Sequence, residues 1–203
     1  MKATLISFAF GLLLLAHASA GDDQQKPLNI GAAMPAWTNL PGVDGKKHSL
    51  ADLKDKDVIV VVFTCNSCPI AVGYEDRLMA FQKKHCGPGK KVALVAINVN
   101  IIPEDRLPQM IERAKLKGFE FPYLFDETQK IAKDFDADLT PEFFVFGKDR
   151  KLVYRGAMDN TSIAENVKVN YLDPAVAAAL KGERPKVEET TARGCRIRYG
   201  RKK

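Results

Sequence analysis

Cysteine and histidine are scarce in this chain of 203 residues, with four of the first, three of the second and a single tryptophan. Four cysteines are too few for a small scaffold built on disulfides. Beyond the N-terminus no apolar run is long enough to cross a bilayer, which excludes a polytopic membrane protein. With 46% hydrophobic and 28% charged residues the chain is also not intrinsically disordered, and its length suits one well-buried domain with a tail.

The formal net charge of +6 is confined to the two ends. Lys2 supplies one positive charge, and residues 191–203 hold six basic residues and no acid, so residues 21–190 are left with one net negative charge. A nearly neutral body without interleaved aromatics is not a nucleic-acid-binding domain. At most the basic tail makes weak contact with an anionic surface.

The N-terminus reads as an export signal. Lys2 precedes the apolar residues 5–16, and Ala18-Ser19-Ala20 then lead into Gly21-Asp22-Asp23. A basic start, a short apolar run and small residues at a cleavage point form a signal peptide over residues 1–20, cut after Ala20. An uncleaved anchor is the alternative on the same pattern. Export places the mature chain in the periplasm or outside the cell, where disulfides persist and where it keeps no membrane span. The expected division is a signal at 1–20, a domain at 21–185 and a basic tail at 186–203.

Residues 22–26 are a polar lead-in, and residues 30–53 carry the turn signals Pro35, Pro41-Gly42 and Asp44-Gly45, which suit an irregular hairpin. The continuous β-branched run at 58–63 predicts a strand buried on both faces. A helix over 69–84, ended by Gly87-Pro88-Gly89, and a second buried strand at 92–99 complete a unit of βαβ size. A helix over 103–117 stops at Gly118. A short strand at 121–125 and a short helix at 128–135 follow. Strands at 142–146 and 152–155 are joined by Gly147-Lys148-Asp149-Arg150, and a last helix lies within 163–180, interrupted near Pro174. Parallel strands first and an antiparallel hairpin last predict an α/β fold with a central mixed sheet flanked by helices.

Cys65-Asn66-Ser67-Cys68-Pro69 falls where the first buried strand ends and a helix begins. A thiol at a helix N-terminus meets unpaired N–H groups and the positive end of the dipole, both of which favour thiolate. Cys65 is then the attacking thiol, and Cys68, one helical turn on, resolves the mixed disulfide. Pro69 is accommodated in the first turn because its missing N–H has no helical partner there. A zinc site needs a second ligand pair, yet Cys86, Cys195, His48 and His85 have no paired spacing. A purely structural disulfide across so short a loop stabilises little.

Strand, CxxCP motif and helix, followed by a second strand and by Thr140-Pro141 opening a hairpin, resemble the thioredoxin fold. The chain more narrowly resembles the exported thioredoxin-like redoxins related to the alkyl hydroperoxide reductase and thiol-specific antioxidant group. The resemblance runs through Ile30-Gly31, Asp44-Gly45-Lys46, Phe63-Thr64-Cys65 with Cys68-Pro69, and Tyr74-Glu75-Asp76-Arg77-Leu78. It continues through Gly118-Phe119-Glu120-Phe121-Pro122, Thr140-Pro141-Glu142, Tyr154-Arg155-Gly156 and Gly194-Cys195-Arg196-Ile197. It implies a cis Pro141 facing the dithiol, a Thr140 backbone left free to pair with an extended substrate, and a substrate-facing surface that includes Asn66, Ser67 and Pro69. It implies no cofactor, since the cysteine pair holds the two electrons. The implied partners are protein thiols or disulfides together with an upstream electron donor or acceptor.

Two departures from the family pattern stand out. The buried aspartate that thioredoxin carries before its motif is replaced by Ile59, and the tryptophan beside the motif by Thr64. Glu75 is on the Cys68 helix face, but two turns are about 10 Å, too far for direct proton transfer. A peroxiredoxin-type peroxidase needs a threonine three residues before its cysteine, where Val62 stands. Thiol–disulfide exchange is therefore the leading reading, with a thiol-dependent peroxidase and a copper- or zinc-binding thiol module as alternatives.

Cys86 reads as a half-buried thiol or a structural disulfide partner at the far end of its helix. Cys195, in a mobile tail, either pairs with Cys86 or folds back as a third redox cysteine, and the resemblance favours the second. Glu104-Asp105 and Asp126-Glu127 read as charges at helix N-termini. His48 and His85 read as solvent-facing, and Asn160-Thr161-Ser162 fits a glycosylation acceptor.

Overall fold

A computed structural model describes residues 28–200. The expected signal at 1–20, its cleavage after Ala20, the lead-in at 22–26 and the final basic residues 201–203 lie outside the described residues. Short strands β1 (Leu40–Pro41) and β2 (Lys47–His48) pair antiparallel as the anticipated N-terminal hairpin. The main strands are β3 (Val58–Phe63), β4 (Val92–Asn98), β5 (Tyr123–Phe125), β7 (Glu142–Phe146) and β8 (Leu152–Gly156). They form one sheet in the order β5-β4-β3-β7-β8. β4 runs parallel to β3 and β5 parallel to β4, whereas β7 and β8 are antiparallel, which makes the sheet mixed.

β3 is central and every one of its residues is buried. Alternation sends Val58, Val60 and Val62 to one face and Ile59, Val61 and Phe63 to the other. The first face packs under α2 (Glu75–His85), α3 (Leu107–Lys117) and α5 (Leu172–Lys181) through Leu78, Phe81, Met110 and Val176. The second packs under α4 (Lys130–Asp134), Trp37 and Ile197. On that side Phe63, Phe135 and Phe144 meet edge to face at centroid distances of 5.3 to 5.8 Å. These rings close the core beneath the end of β3 that leads into Cys65.

The helix expected over 69–84 is two helices, α1 (Pro69–Gly73) and α2, divided at Tyr74. The Tyr74 N–H turns to the Ala71 carbonyl, and its ring and hydroxyl reach away to Asp159. Gly73, immediately before it, is the natural place for such a break. Similarly, the segment expected as a helix over 103–117 begins as a 3-10 turn at Pro103–Asp105, and α3 starts only at Leu107 with Pro108 in its first turn. The last helix starts at Leu172, so Pro174 lies in its first turn and interrupts nothing.

The C-terminal segment, expected to be mobile, is fastened down. β6 (Leu139–Thr140) pairs antiparallel with β9 (Cys195–Arg196), with Thr140 opposite Cys195. Ile197 is buried, its N–H bonds to the Asp138 carbonyl, and the Tyr199 hydroxyl donates to Ala137 O at 2.6 Å. Gln129 donates to Arg198 O and accepts from the Gly200 N–H, closing the strap against α4. No described helix is long and apolar enough to cross a membrane.

Candidate active site

β3 ends at Phe63 and α1 begins at Pro69, so the intervening loop carries Cys65 and Cys68 across the top of the sheet. Both cysteines are buried and not linked to one another. Cys68, not Cys65, is the N-cap of α1, and its Sγ accepts from the Ala71 N–H at 3.4 Å. Its S–H in turn has the Thr140 carbonyl as acceptor at 3.1 Å. Cys65 Sγ lies 3.4 Å from Thr140 Oγ1 and 3.7 Å from Ser67 Oγ. The Thr140-Pro141 peptide bond is cis. One residue, Thr140, therefore touches both sulfurs, through its hydroxyl and through its carbonyl.

The two sulfurs lie in one buried cluster and hold their protons unequally. The S–H of Cys65 donates to Cys68, which pushes Cys65 upward and pulls Cys68 downward. Burial and the Asp105 carboxylate add to the upward shift of Cys65, while a contact from Cys195 and the Ala71 N–H favour charge on Cys68. The first proton thus leaves the pair easily and the second is held tightly.

Asp105 is the site residue that sequence reasoning missed. Read as a charge at a helix N-terminus, it is wholly buried under the dithiol loop. Its Oδ1 accepts from the Asn66 and Ser67 N–H groups at 2.7 and 2.9 Å, and its Oδ2 from the Ser67 hydroxyl and Asn100 Nδ2 at 2.6 and 3.0 Å. Thioredoxin's aspartate is absent from β3, yet a carboxylate reaches the dithiol loop from the segment after β4. The only sequence signal was its place after Pro103-Glu104, which a surface cap shares.

Asn66 and Ser67 were expected to face substrate. Their side chains are instead spent on the protein: Asn66 Nδ2 donates to Glu104 O, Asn66 Oδ1 accepts from the Tyr123 hydroxyl at 3.1 Å, and Ser67 holds Asp105. The Thr140 backbone, expected to be free, is occupied by β9. Thr140 Oγ1 also donates to Cys195 O at 3.4 Å. Cys195 packs against Cys65, Cys68 and Ala71, and its thiol reaches Cys68. Cys86 is elsewhere, buried against Val92 and Leu94 in the core, where burial pushes its thiol up to about 11.

The Tyr74-Glu75-Asp76-Arg77 block is structural. Tyr74 Oη and Arg77 Nη1 both donate to the buried Asp159, at 2.9 and 2.6 Å. Glu75 takes a two-pronged bond from Arg113, and Asp76 bonds Lys117, so the block clamps α2 to α3 and to the loop after β8. His48 and His85, expected in solvent, each meet a carboxylate, Asp44 at 2.9 Å and Asp173 at 2.7 Å. Among the described residues no three His, Cys, Asp or Glu side chains are placed to hold a metal ion.

A mixed sheet with a dithiol at the β3–α1 junction, faced by a cis-proline, defines the thioredoxin-type oxidoreductases. The chain belongs to the redoxin family, whose profile matches residues 29–171. Among solved structures it is similar to a conserved protein of Geobacillus kaustophilus, with 33% identity and a TM-score of 0.79 over 87% of this chain and 95% of the other. A hypothetical protein of Sinorhizobium meliloti matches at 32% identity and a TM-score of 0.78 over 86% and 97%. A thiol:disulfide interchange protein of Chlorobium tepidum shares the fold at 21% identity and a TM-score of 0.55, over 65% and 89%. No curated protein matches the chain.

Proposed function

We propose that the protein is an exported thiol–disulfide oxidoreductase that stores two electrons in the Cys65–Cys68 pair. The observation that carries this reading is the contact of both sulfurs with the single residue Thr140, next to the cis-proline and at a strand–helix junction. In the reducing direction Cys65, once deprotonated, attacks one sulfur of a partner disulfide and displaces the other as thiolate. Cys68 then attacks the Cys65 sulfur, the Cys65–Cys68 bond forms, and the partner's second thiolate leaves. Two electrons pass from the dithiol to the partner, and the two thiol protons end on the partner's sulfurs or in water. The oxidising direction is the reverse.

Cys68 is the member of the pair that ionises first, so as Cys65 attacks, its S–H proton passes along the hydrogen bond to the Cys68 thiolate. Export rests on the basic, apolar and small-residue pattern of residues 1–20. The partners are then extracytosolic protein thiols or disulfides and a separate electron donor or acceptor.

Reduction of insulin disulfides by the full mature chain with dithiothreitol tests the enzyme reading. The expected result is loss of at least about 100-fold in rate for Cys65→Ala and for Cys68→Ala, with Cys86→Ala unchanged, a loss of about 2.7 kcal/mol in barrier terms. Retained activity in both variants overturns it. N-terminal sequencing of the secreted chain tests export, with Gly21 expected first.

A further inference from the structure

A strand of the chain's own C-terminal segment covers the dithiol. β9 pairs with β6 so that Cys195 is opposite Thr140, the residue that touches both Cys65 and Cys68. Extended partners of such a site add a strand at this edge and present a sulfur to the dithiol. The chain's own C-terminal segment already occupies the place, with its own cysteine in the register of the incoming sulfur.

We propose that Cys195 is a third redox thiol of this site, which takes the disulfide over from Cys65–Cys68 by bonding to Cys68. The proposal rests on the dithiol reading above and extends it. Three observations support it. Cys195 is paired opposite Thr140, the residue in contact with both sulfurs, and Cys68 is the hydrogen-bonding sulfur that Cys65 and Cys195 share. Cys195 packs onto the Cys65, Cys68 and Ala71 cluster. The strap is fixed on both sides of Cys195, by the fit of Gly194 against Thr140 O and by the Ile197 and Arg198 bonds, so the contact is built and not incidental.

The step is an internal exchange with no net change in electrons. Starting from the Cys65–Cys68 disulfide, the Cys195 thiol gives its proton to water and attacks Cys68 Sγ. The Cys68–Cys195 bond forms as the Cys65–Cys68 bond breaks, and the electron pair leaves on Cys65, which takes up a proton. Cys65 is thereby freed for another partner, and the disulfide comes to rest on Cys195, the more exposed end, where an external dithiol reaches it. In the fully reduced protein contact with Cys68 pushes the Cys195 thiol up to about 11. Once Cys68 is in a disulfide its negative charge is gone, so Cys195 ionises more readily when the step requires it.

The test uses full-length mature chain oxidised with diamide, alkylated with iodoacetamide and mapped by peptide mass spectrometry. In Cys65→Ser the expected product is a Cys68–Cys195 linked peptide, with Cys86 alkylated. In wild type oxidised by one disulfide per chain, a measurable fraction of Cys65 is alkylated, and Cys195→Ser abolishes that fraction while still forming the Cys65–Cys68 bond. A Cys195 that stays alkylatable in oxidised Cys65→Ser, or that links to Cys86, overturns the proposal. Failure of the parent reading looks different: it is Cys195→Ser that neither forms the Cys65–Cys68 bond nor reduces insulin. Circular dichroism of each variant, matched to wild type, keeps misfolding from passing as either result.

Discussion

Ser67 donates its hydroxyl to Asp105 at 2.6 Å, and the same carboxylate receives the Ser67 and Asn66 N–H groups. One buried side chain thus holds the loop between the two cysteines from below. Its negative charge also contributes to pushing the Cys65 thiol up, behind the larger effects of the Cys68 hydrogen bond and burial.

Replacement of Asp105 separates these two effects. Asp105→Ala strands two loop N–H groups and a hydroxyl in the interior, and the expected loss of stability in urea is about 3 kcal/mol. Asp105→Asn keeps an acceptor for the loop but removes the charge, so Cys65 is expected to lose its proton at lower pH. Iodoacetamide alkylation of Cys65 in a Cys68→Ala, Cys195→Ser background reads this, and the Asn variant should show its midpoint shifted to lower pH. An unchanged midpoint would leave Asp105 with a purely structural role.

A second clamp lies farther from the sulfurs. Arg77 Nη1 meets the buried Asp159 at 2.6 Å and also donates to the Thr161 carbonyl, while Nη2 donates to the Ser162 carbonyl, tying α2 to the loop after β8. Arg77→Met leaves the Asp159 charge buried with only the Tyr74 hydroxyl and the Thr161 N–H for partners. The expected destabilisation is about 3 to 5 kcal/mol, partly recovered by adding Asp159→Asn, which removes the orphaned charge. Chemical unfolding of the single and double variants checks it. An additive double variant would rule out the charge as the cause.

Much of this frame was legible in the sequence because it is written in contiguous apolar runs. Residues 58–63 admit one reading, a strand buried on both sides, and the cysteines follow it directly. The break at Tyr74 was not legible, since apolar spacing continues through it and only the distant Asp159 turns the tyrosine away. Asp105 was hidden by composition, because an acid after proline in a first turn has the same spelling whether it faces water or a loop brought in from forty residues away. The strap was hidden for a different reason. A two-residue strand among arginines has no period to detect, and what holds it are single bonds to Asp138, Asn100 and Gln129.

Asp173 provides a pH signature. Burial opposes its charge, but hydrogen bonds from Lys84 and His85 win and hold its carboxyl below the usual 3.8. A carboxyl lowered in the folded state stabilises the fold above its unfolded value, and that stabilisation disappears as pH falls through the folded one. Wild type is therefore expected to exceed Asp173→Asn by about 1 kcal/mol at pH 7, with the difference shrinking below pH 3.8. Parallel urea titrations at pH 7 and across the acid range measure it. A gap that persists at the acid end would mean that shape at the start of α5, not charge, is what the aspartate contributes.

Gly194 offers direct control of the strap without touching a sulfur. A side chain there would run into the Thr140 carbonyl and the Pro141 nitrogen, both backbone atoms that cannot rotate aside. Gly194→Val must therefore displace β9 from β6. The Thr140 backbone and the buried thiols then become open to solvent, so alkylation of Cys68 and Cys195 in the reduced protein is expected to speed up at least about tenfold, the effect of losing roughly 1.4 kcal/mol of protection. Loss of the Ile197 burial and the Tyr199 bond is expected to lower stability by about 2 to 3 kcal/mol. Insulin reduction separates two uses of the strap: a faster rate in Gly194→Val means that β9 shields the dithiol from outside partners, and a slower one means that partners depend on Cys195 held in register. The proposed relay expects the slower rate in steady state together with faster single-turnover attack by Cys65, because the lifted strap opens the cleft but no longer carries the disulfide outward.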